Sequence, residues 1–136
     1  PEGGQYGPEW GVSITGIYIL IELFRRKDKE KTLFYSLAKI YRTLCISSVT
    51  YYEVGIGNRK SHAGYWEKLC ENLLILPLDK ECSENAISIY LDLQKENKLI
   101  DLADILIGAT ALTHDIPIAT LNDKHFNRIK GLEILK

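Results

Sequence analysis

The spacing of apolar residues changes along this chain, and each change marks an element. From Val12 the sequence turns apolar (VSITGIYILIELF), and Val12, Ile14 and Ile17 suggest a short strand that runs into a helix around residues 19–24. Gly16 falls at that junction. Leu33, Phe34, Leu37, Ile40 and Tyr41 recur at helical spacing and predict an amphipathic helix with one apolar face. Residues 45–49 (CISSV) predict a second strand, and Thr50 with Glu53 three positions later has the pattern of a helix-opening capping box. Gly55 and Gly57 are expected to fray or bend that helix. Residues 65–74 predict a further helix, and residues 74–78 (LILPL) a buried strand with Pro77 near its end. In residues 84–94, Ala86, Ile89, Tyr90 and Leu93 share one helical face. Residues 101–113 (DLADILIGATALT) are apolar on nearly every side after two carboxylates, which predicts a helix inside the fold. Residues 116–121 and 131–135 (GLEIL) predict two last strands around a polar loop, residues 122–126.

Strands that alternate with helices argue for a mostly parallel sheet with helices on both faces. Residues 1–11 hold four glycines and two prolines and are expected to form a flexible arm ahead of one domain over residues 12–136. No internal repeat and no second domain is visible.

Composition narrows the function. The chain is 46% hydrophobic and 26% charged, ordinary for a globular protein. A net charge of −1 gives no basis for bulk electrostatic attraction to nucleic acid, so any such binding would be local. The apolar run at residues 17–23 is too short to span a membrane, and no secretory leader pattern is present. Cys45, Cys70 and Cys82 fit no zinc spacing and no disulfide framework, so free thiols in a reducing cytosol, and a cytoplasmic protein, are the expectation. The charge run at residues 25–31 (RRKDKEK) mixes signs, as solvated turns and helix ends do, with a phosphate-contacting patch as the alternative.

Candidate chemistry gathers where the elements change. Asp101 and Asp104 are three apart and share a helix face. Asp101 has a plain structural explanation as a helix cap. Asp104 is harder to explain that way, because a buried carboxylate is rare unless paired or bound to metal. The C-terminal ends of parallel strands share one edge, where functional residues collect. Gly16, Glu53, Asp104 and the loop with Thr120, Asn122 and His125 all fall at or near that edge. Glu53 and Asp104 are hard oxygen ligands suited to Mg²⁺ or Mn²⁺, although Glu53 also fits a capping role toward Thr50. Thr120 and Asn122 offer neutral donors and acceptors, and His125 suits charge neutralisation or proton transfer. Each signal is weak alone; their combination carries the weight.

Taken together these residues resemble the PIN-domain family, and within it the VapC-type toxin ribonucleases of toxin–antitoxin systems. Three blocks carry the likeness: ILIELFRR (residues 19–26), SSVTYYEVGIG (residues 47–57) and the stretch from Asp101 to Leu135, where Thr120, Asn122, His125 and Phe126 match the T-x-N-x-x-H/D-F ending. The resemblance implies a three-layer α/β/α fold with a mostly parallel sheet of four or five strands. It implies hydrolysis of RNA phosphodiesters by a metal-activated water, with Glu53 and Asp104 as ligands of Mg²⁺ or Mn²⁺ and Thr120, Asn122 and His125 completing the catalytic set. It also implies a homodimer blocked by an antitoxin protein. One position departs from the pattern. The family's leading acidic residue, counted back from Ile19, falls on Gly16. Loss of one carboxylate weakens a metal site, so the alternative reading is a catalytically impaired PIN domain that acts as an antitoxin- or RNA-binding module.

Overall fold

The structure is a computed structural model that describes residues 11–14, 16–57 and 63–135. Four parallel strands, β1 (Gly11–Ile14), β2 (Thr43–Ser47), β3 (Leu73–Leu76) and β4 (Ile118–Ala119), form one sheet in the order β3-β2-β1-β4. Around them lie α1 (Tyr18–Arg25), α2 (Leu33–Ile40), α3 (Ser48–Gly57), α4 (Ala63–Cys70), α5 (Lys80–Lys95) and α6 (Leu102–Thr113). Ile14 stands opposite Ile46 of β2 and Ala119 of β4, so the three strand ends nearly coincide. The chain steps outward from β1 to β3 and then returns to the other side of β1 for β4. The reversal between β1 and β4 is where a parallel sheet opens a crevice at its C-terminal edge.

Apolar side chains fill both sides of the sheet. On one side Ile19, Leu20 and Leu23 of α1, Phe34 and Leu37 of α2 and Trp66 of α4 pack with Leu44 and Ile46 of β2. On the other, Ile89 and Leu93 of α5 meet Ile105, Ile107 and Ala109 of α6, together with Ile118 and Phe126. Residues 44–47 of β2 are all buried, the continuous pattern of a parallel strand covered on both faces. Helix α6 is buried at Ile105, Ile107, Gly108, Ala109, Thr110, Ala111 and Thr113, as its lack of polar relief predicts. A Cβ on Gly108 would lie 2.5 Å from Ile129 Cδ1. Glycine there lets α6 approach the turn that carries Phe126 and, beside it, His125. None of the described helices is long and apolar enough to cross a membrane.

Several expectations shift. The helix expected over residues 65–74 ends at Cys70, the strand expected over residues 74–78 is Leu73–Leu76, and α3 continues through Gly55 to Gly57. The second strand ends at Ser47, and residues 48–49 already belong to α3. Ser47 is the reason: its Oγ accepts from the Thr50 amide at 3.0 Å and closes the first turn. The strand predicted over residues 116–121 shrinks to Ile118–Ala119. Pro117 has no amide to give a ladder, and Thr120 turns back onto Asn122. The last predicted strand contributes only an Ile118–Ile134 bridge, so the sheet has four strands among the described residues. Gly131, at φ +82°, places a turn at the start of that segment. The arm expected over residues 1–11 lies outside the described residues, except Gly11, which opens β1.

The charge run holds structural residues. Asp28 Oδ1 accepts from the Glu30 amide at 3.2 Å and caps a short 3-10 turn, and Lys29 does more. Lys29 Nζ donates to the carbonyls of Leu23 (2.7 Å), Phe24 (3.3 Å) and Arg26 (2.9 Å) and stands 5.4 Å from the centre of the Tyr65 ring. It thereby satisfies the carbonyl end of α1, where a cation also complements the helix dipole. Lys29→Met is expected to lower the unfolding free energy by about 1.5–3 kcal/mol, the range for hydrogen bonds to a charged group. Urea unfolding of both proteins measures this. Arg25, Arg26 and Lys27 are exposed, as the mixed run predicts.

Candidate active site

One cavity of about 170 Å³ opens at the C-terminal edge of the sheet, at the reversal between β1 and β4. The turn before α1 supplies Gly16 and Ile17, and the first residue of α1 supplies Tyr18. Helix α3 supplies Glu53; the start of α6 supplies Asp101, Ala103 and Asp104. The loop after β4 supplies Thr120, Asn122, His125 and Phe126. Every site residue predicted from sequence therefore lines the same cavity: Glu53, Asp104, Thr120, Asn122 and His125, with Gly16 among them.

Local chemistry explains how each arrives there. Glu53 rides one helical turn past Thr50, whose side chain and Ser47 hydrogen-bond at 3.2 Å with both residues fully buried. The capping-box explanation of Glu53 fails, because the Thr50 amide is already held by Ser47 Oγ. Burial pushes the Glu53 carboxyl above its usual range, and the neighbouring Asp104 charge pushes it further. A carboxyl raised in the fold adds stability below its unfolded pKa and loses it as pH rises through the folded value. Glu53→Gln is thus expected to raise the thermal midpoint in EDTA at pH 8 and to change it little near pH 4. Thermal melts at both pH values test this, and a midpoint lowered at pH 8 would contradict it.

Asp104 binds His125, with Oδ2 and Nδ1 at 2.6 Å and both side chains partly buried. Asp101, at the N-cap position of α6, makes no side-chain cap. Instead Asp101, Asp104 and His125 each offer one ligand-type atom, and these atoms all lie within 4.8 Å of one another. The cap pattern conceals this role in the sequence, and only the geometry brings Asp101 in. Glu22, a second acid close in sequence, is occupied elsewhere, because its Oε1 accepts from the Leu33 amide at 2.9 Å. Thr120 is partly committed as well. Its Oγ1 accepts from the Asn122 amide at 3.0 Å and donates to the Asn122 carbonyl at 3.2 Å, which shapes the loop that carries Asn122. Among the described residues, the cavity wall thus holds three carboxylates, one imidazole and no Lys or Arg. Helices α1 and α6 both begin at this wall without a side-chain cap, so the positive ends of their dipoles face it as partial compensation.

A three-layer parallel α/β/α domain whose acidic residues converge at the strand-end crevice is a recognisable class of protein. This chain belongs to the PIN-domain family: the family model described as PIN domain matches residues 18–132. Among curated relatives, Ribonuclease VapC1 of Rickettsia felis is 46% identical over 61 residues, which is 45% of this chain and 46% of that protein. The chain thus matches about half the length of that relative. VapC ribonuclease Y4jK of Sinorhizobium fredii is 26% identical over 128 residues, 86% of this chain and 91% of that one. Among solved structures, VapBC-1 from nontypeable Haemophilus influenzae has a TM-score of 0.79 at 22% identity, covering 92% of this chain and 97% of that one. A toxin–antitoxin complex from Klebsiella pneumoniae has a TM-score of 0.68 at 28% identity, covering 89% and 94%.

Proposed function

We propose that this chain is a toxin-type ribonuclease that hydrolyses RNA phosphodiesters with Mg²⁺ or Mn²⁺ and is held in check by an antitoxin protein. The observation that carries the reading is the convergence of Glu53, Asp101, Asp104 and His125 in one cavity whose described wall has no Lys or Arg. Hard oxygen donors, and a Glu53 carboxyl raised by burial and then by the Asp104 charge, fit a divalent cation. Glu53, Asp101 and Asp104 would hold it. When bound, such an ion lowers the pKa of an attacking water and offsets charge on the phosphate. The chain's own residues do the rest. Asp104 orients His125 through Nδ1, which leaves Nε2 to meet a phosphate oxygen or move a proton. Asn122, held by the Thr120 turn, offers an amide side chain at the cavity rim. The names of the VapC ribonuclease relatives support the RNA substrate, and the VapBC complexes support the antitoxin partner. A homodimer and a cytoplasmic setting belong to the same proposal.

A second reading is favoured by Gly16. Gly16, Ile17 and Tyr18 line the cavity, so its described wall has no carboxylate from the β1–α1 junction. A protein with that gap is a binding module if the remaining acids do not suffice. Incubation of RNA with the protein in Mn²⁺ and in EDTA decides between them. Cleavage in Mn²⁺ and none in EDTA is expected for the ribonuclease. Tight antitoxin binding with no cleavage in either would overturn it in favour of the module.

A further inference from the structure

We propose that Tyr18 forms a nucleobase-stacking subsite beside the position of the scissile phosphate, an inference that rests on the RNA reading above. Tyr18 is the first residue of α1 and lines the reaction cavity together with Glu53, Asp104 and His125. Its side chain is 56% exposed, whereas the next two residues, Ile19 and Leu20, are completely buried. The helix is therefore anchored by its apolar face, and its first ring is left at the cavity mouth.

Tyr52, also exposed, lines a separate cavity with Glu53 and Leu102 and does not line the one that holds Asp104 and His125. Phe126, which does line it, is buried. Further rings nearby are engaged in packing. Phe24 meets Tyr65 and Trp66 edge-on at 5.7 and 6.1 Å, and Tyr51 lies against Trp66 at 5.7 Å. Among the described residues, no ring contact or hydrogen bond engages the Tyr18 side chain.

Charge supplies the second part of the argument. A nucleic acid usually gains its affinity from Lys and Arg against phosphate. The described wall of this cavity has none, and its three carboxylates repel the backbone until a cation offsets them. Beyond the cation itself, affinity near the reacting phosphate is then left to the bases. An exposed phenol ring at the mouth is the group able to supply it, because every base has a π-face that stacks on an aromatic side chain. Stacking needs a splayed base, so the preferred substrate is a single strand or a loop, with little demand on base identity.

The experiment compares wild type, Tyr18→Ala and Tyr18→Phe on a single-stranded RNA of mixed sequence. Two readouts are used: KM for cleavage in Mn²⁺, and binding in Ca²⁺, a cation that takes the same oxygen ligands, through quenching of 2-aminopurine placed next to the cleavage position. Tyr18→Ala is expected to raise KM and the dissociation constant by about 10-fold or more and to abolish the quenching, the size of effect found when stacking aromatics are truncated. Tyr18→Phe keeps the ring and is expected to restore most of the affinity. On the same strand with abasic residues flanking the cleavage position, wild type and Tyr18→Ala should converge. Unchanged KM and quenching in Tyr18→Ala, with wild type binding RNA, would overturn the subsite alone. Failure of wild type to bind or cleave any RNA would overturn the subsite and the ribonuclease reading together.

Discussion

Asp104→Asn is expected to reduce metal-dependent RNA cleavage by about 100-fold or more, with the fold intact. The magnitude follows from what one carboxylate does here. Asp104 belongs to the cluster with Asp101 and His125, it raises the Glu53 carboxyl, and its Oδ2 holds His125 Nδ1 at 2.6 Å. Asparagine keeps the shape but removes the negative charge that draws a cation. It also exchanges a charge-assisted hydrogen bond for a neutral one. Loss of a positioned acid or base alone typically costs about 10²–10⁴-fold, and a weakened metal site adds to that. Single-turnover cleavage across a Mn²⁺ titration separates the two. A shifted Mn²⁺ midpoint reports binding, and a lower plateau reports the loss of His125 orientation. Cleavage at the wild-type rate would remove Asp104 from the mechanism.

Much of the architecture was legible because the sequence states it through burial. Helix α6 has apolar residues on all sides, and only an internal position accommodates that. The alternation of strands and helices gave the three layers and, through them, the edge where the site had to lie. The convergence of Glu53, Asp104, Thr120, Asn122 and His125 follows from that edge. What stayed hidden depends on contacts between distant segments. Lys29 looks like one more charge in a solvated run until the chain turns its ammonium back onto three carbonyls. Asp101 matches a helix cap in sequence, and its membership of the acidic cluster is visible only in three dimensions. The GLEIL segment has strand-like residues whether it pairs over one position or five, so its reduction to a single bridge is a tertiary fact. Ser47 and Thr50 are both plausible caps three residues apart, and burial of the Ser47–Thr50 pair decides for the first.

Gly16→Asp is expected to tighten Mn²⁺ binding by about 10-fold and to raise RNA cleavage in step, at a small cost in stability. Gly16 lines the cavity, and a Cβ built on it meets nothing within 4 Å, so the new carboxylate has room beside Glu53 and Asp104. Its backbone sits at φ +63°, where glycine is at ease and Asp is tolerated at about 1 kcal/mol. The metal-free protein should therefore melt slightly lower than wild type. In Mn²⁺ the order should reverse, because an ion that binds the folded state alone stabilises it in proportion to its affinity. Melting with and without Mn²⁺ thus reads the metal site without any RNA. Ile14→Asp is the register control, since β1 ends at Ile14, two residues before Gly16. Tighter metal binding from Gly16→Asp but not from Ile14→Asp places the missing acid in the turn. The reverse result places it at the strand end. If neither raises affinity while wild type cleaves RNA in Mn²⁺, then Glu53, Asp101 and Asp104 are a complete ligand set. Cleavage only after Gly16→Asp identifies the present chain as a PIN domain that has kept its fold and given up its chemistry at one position.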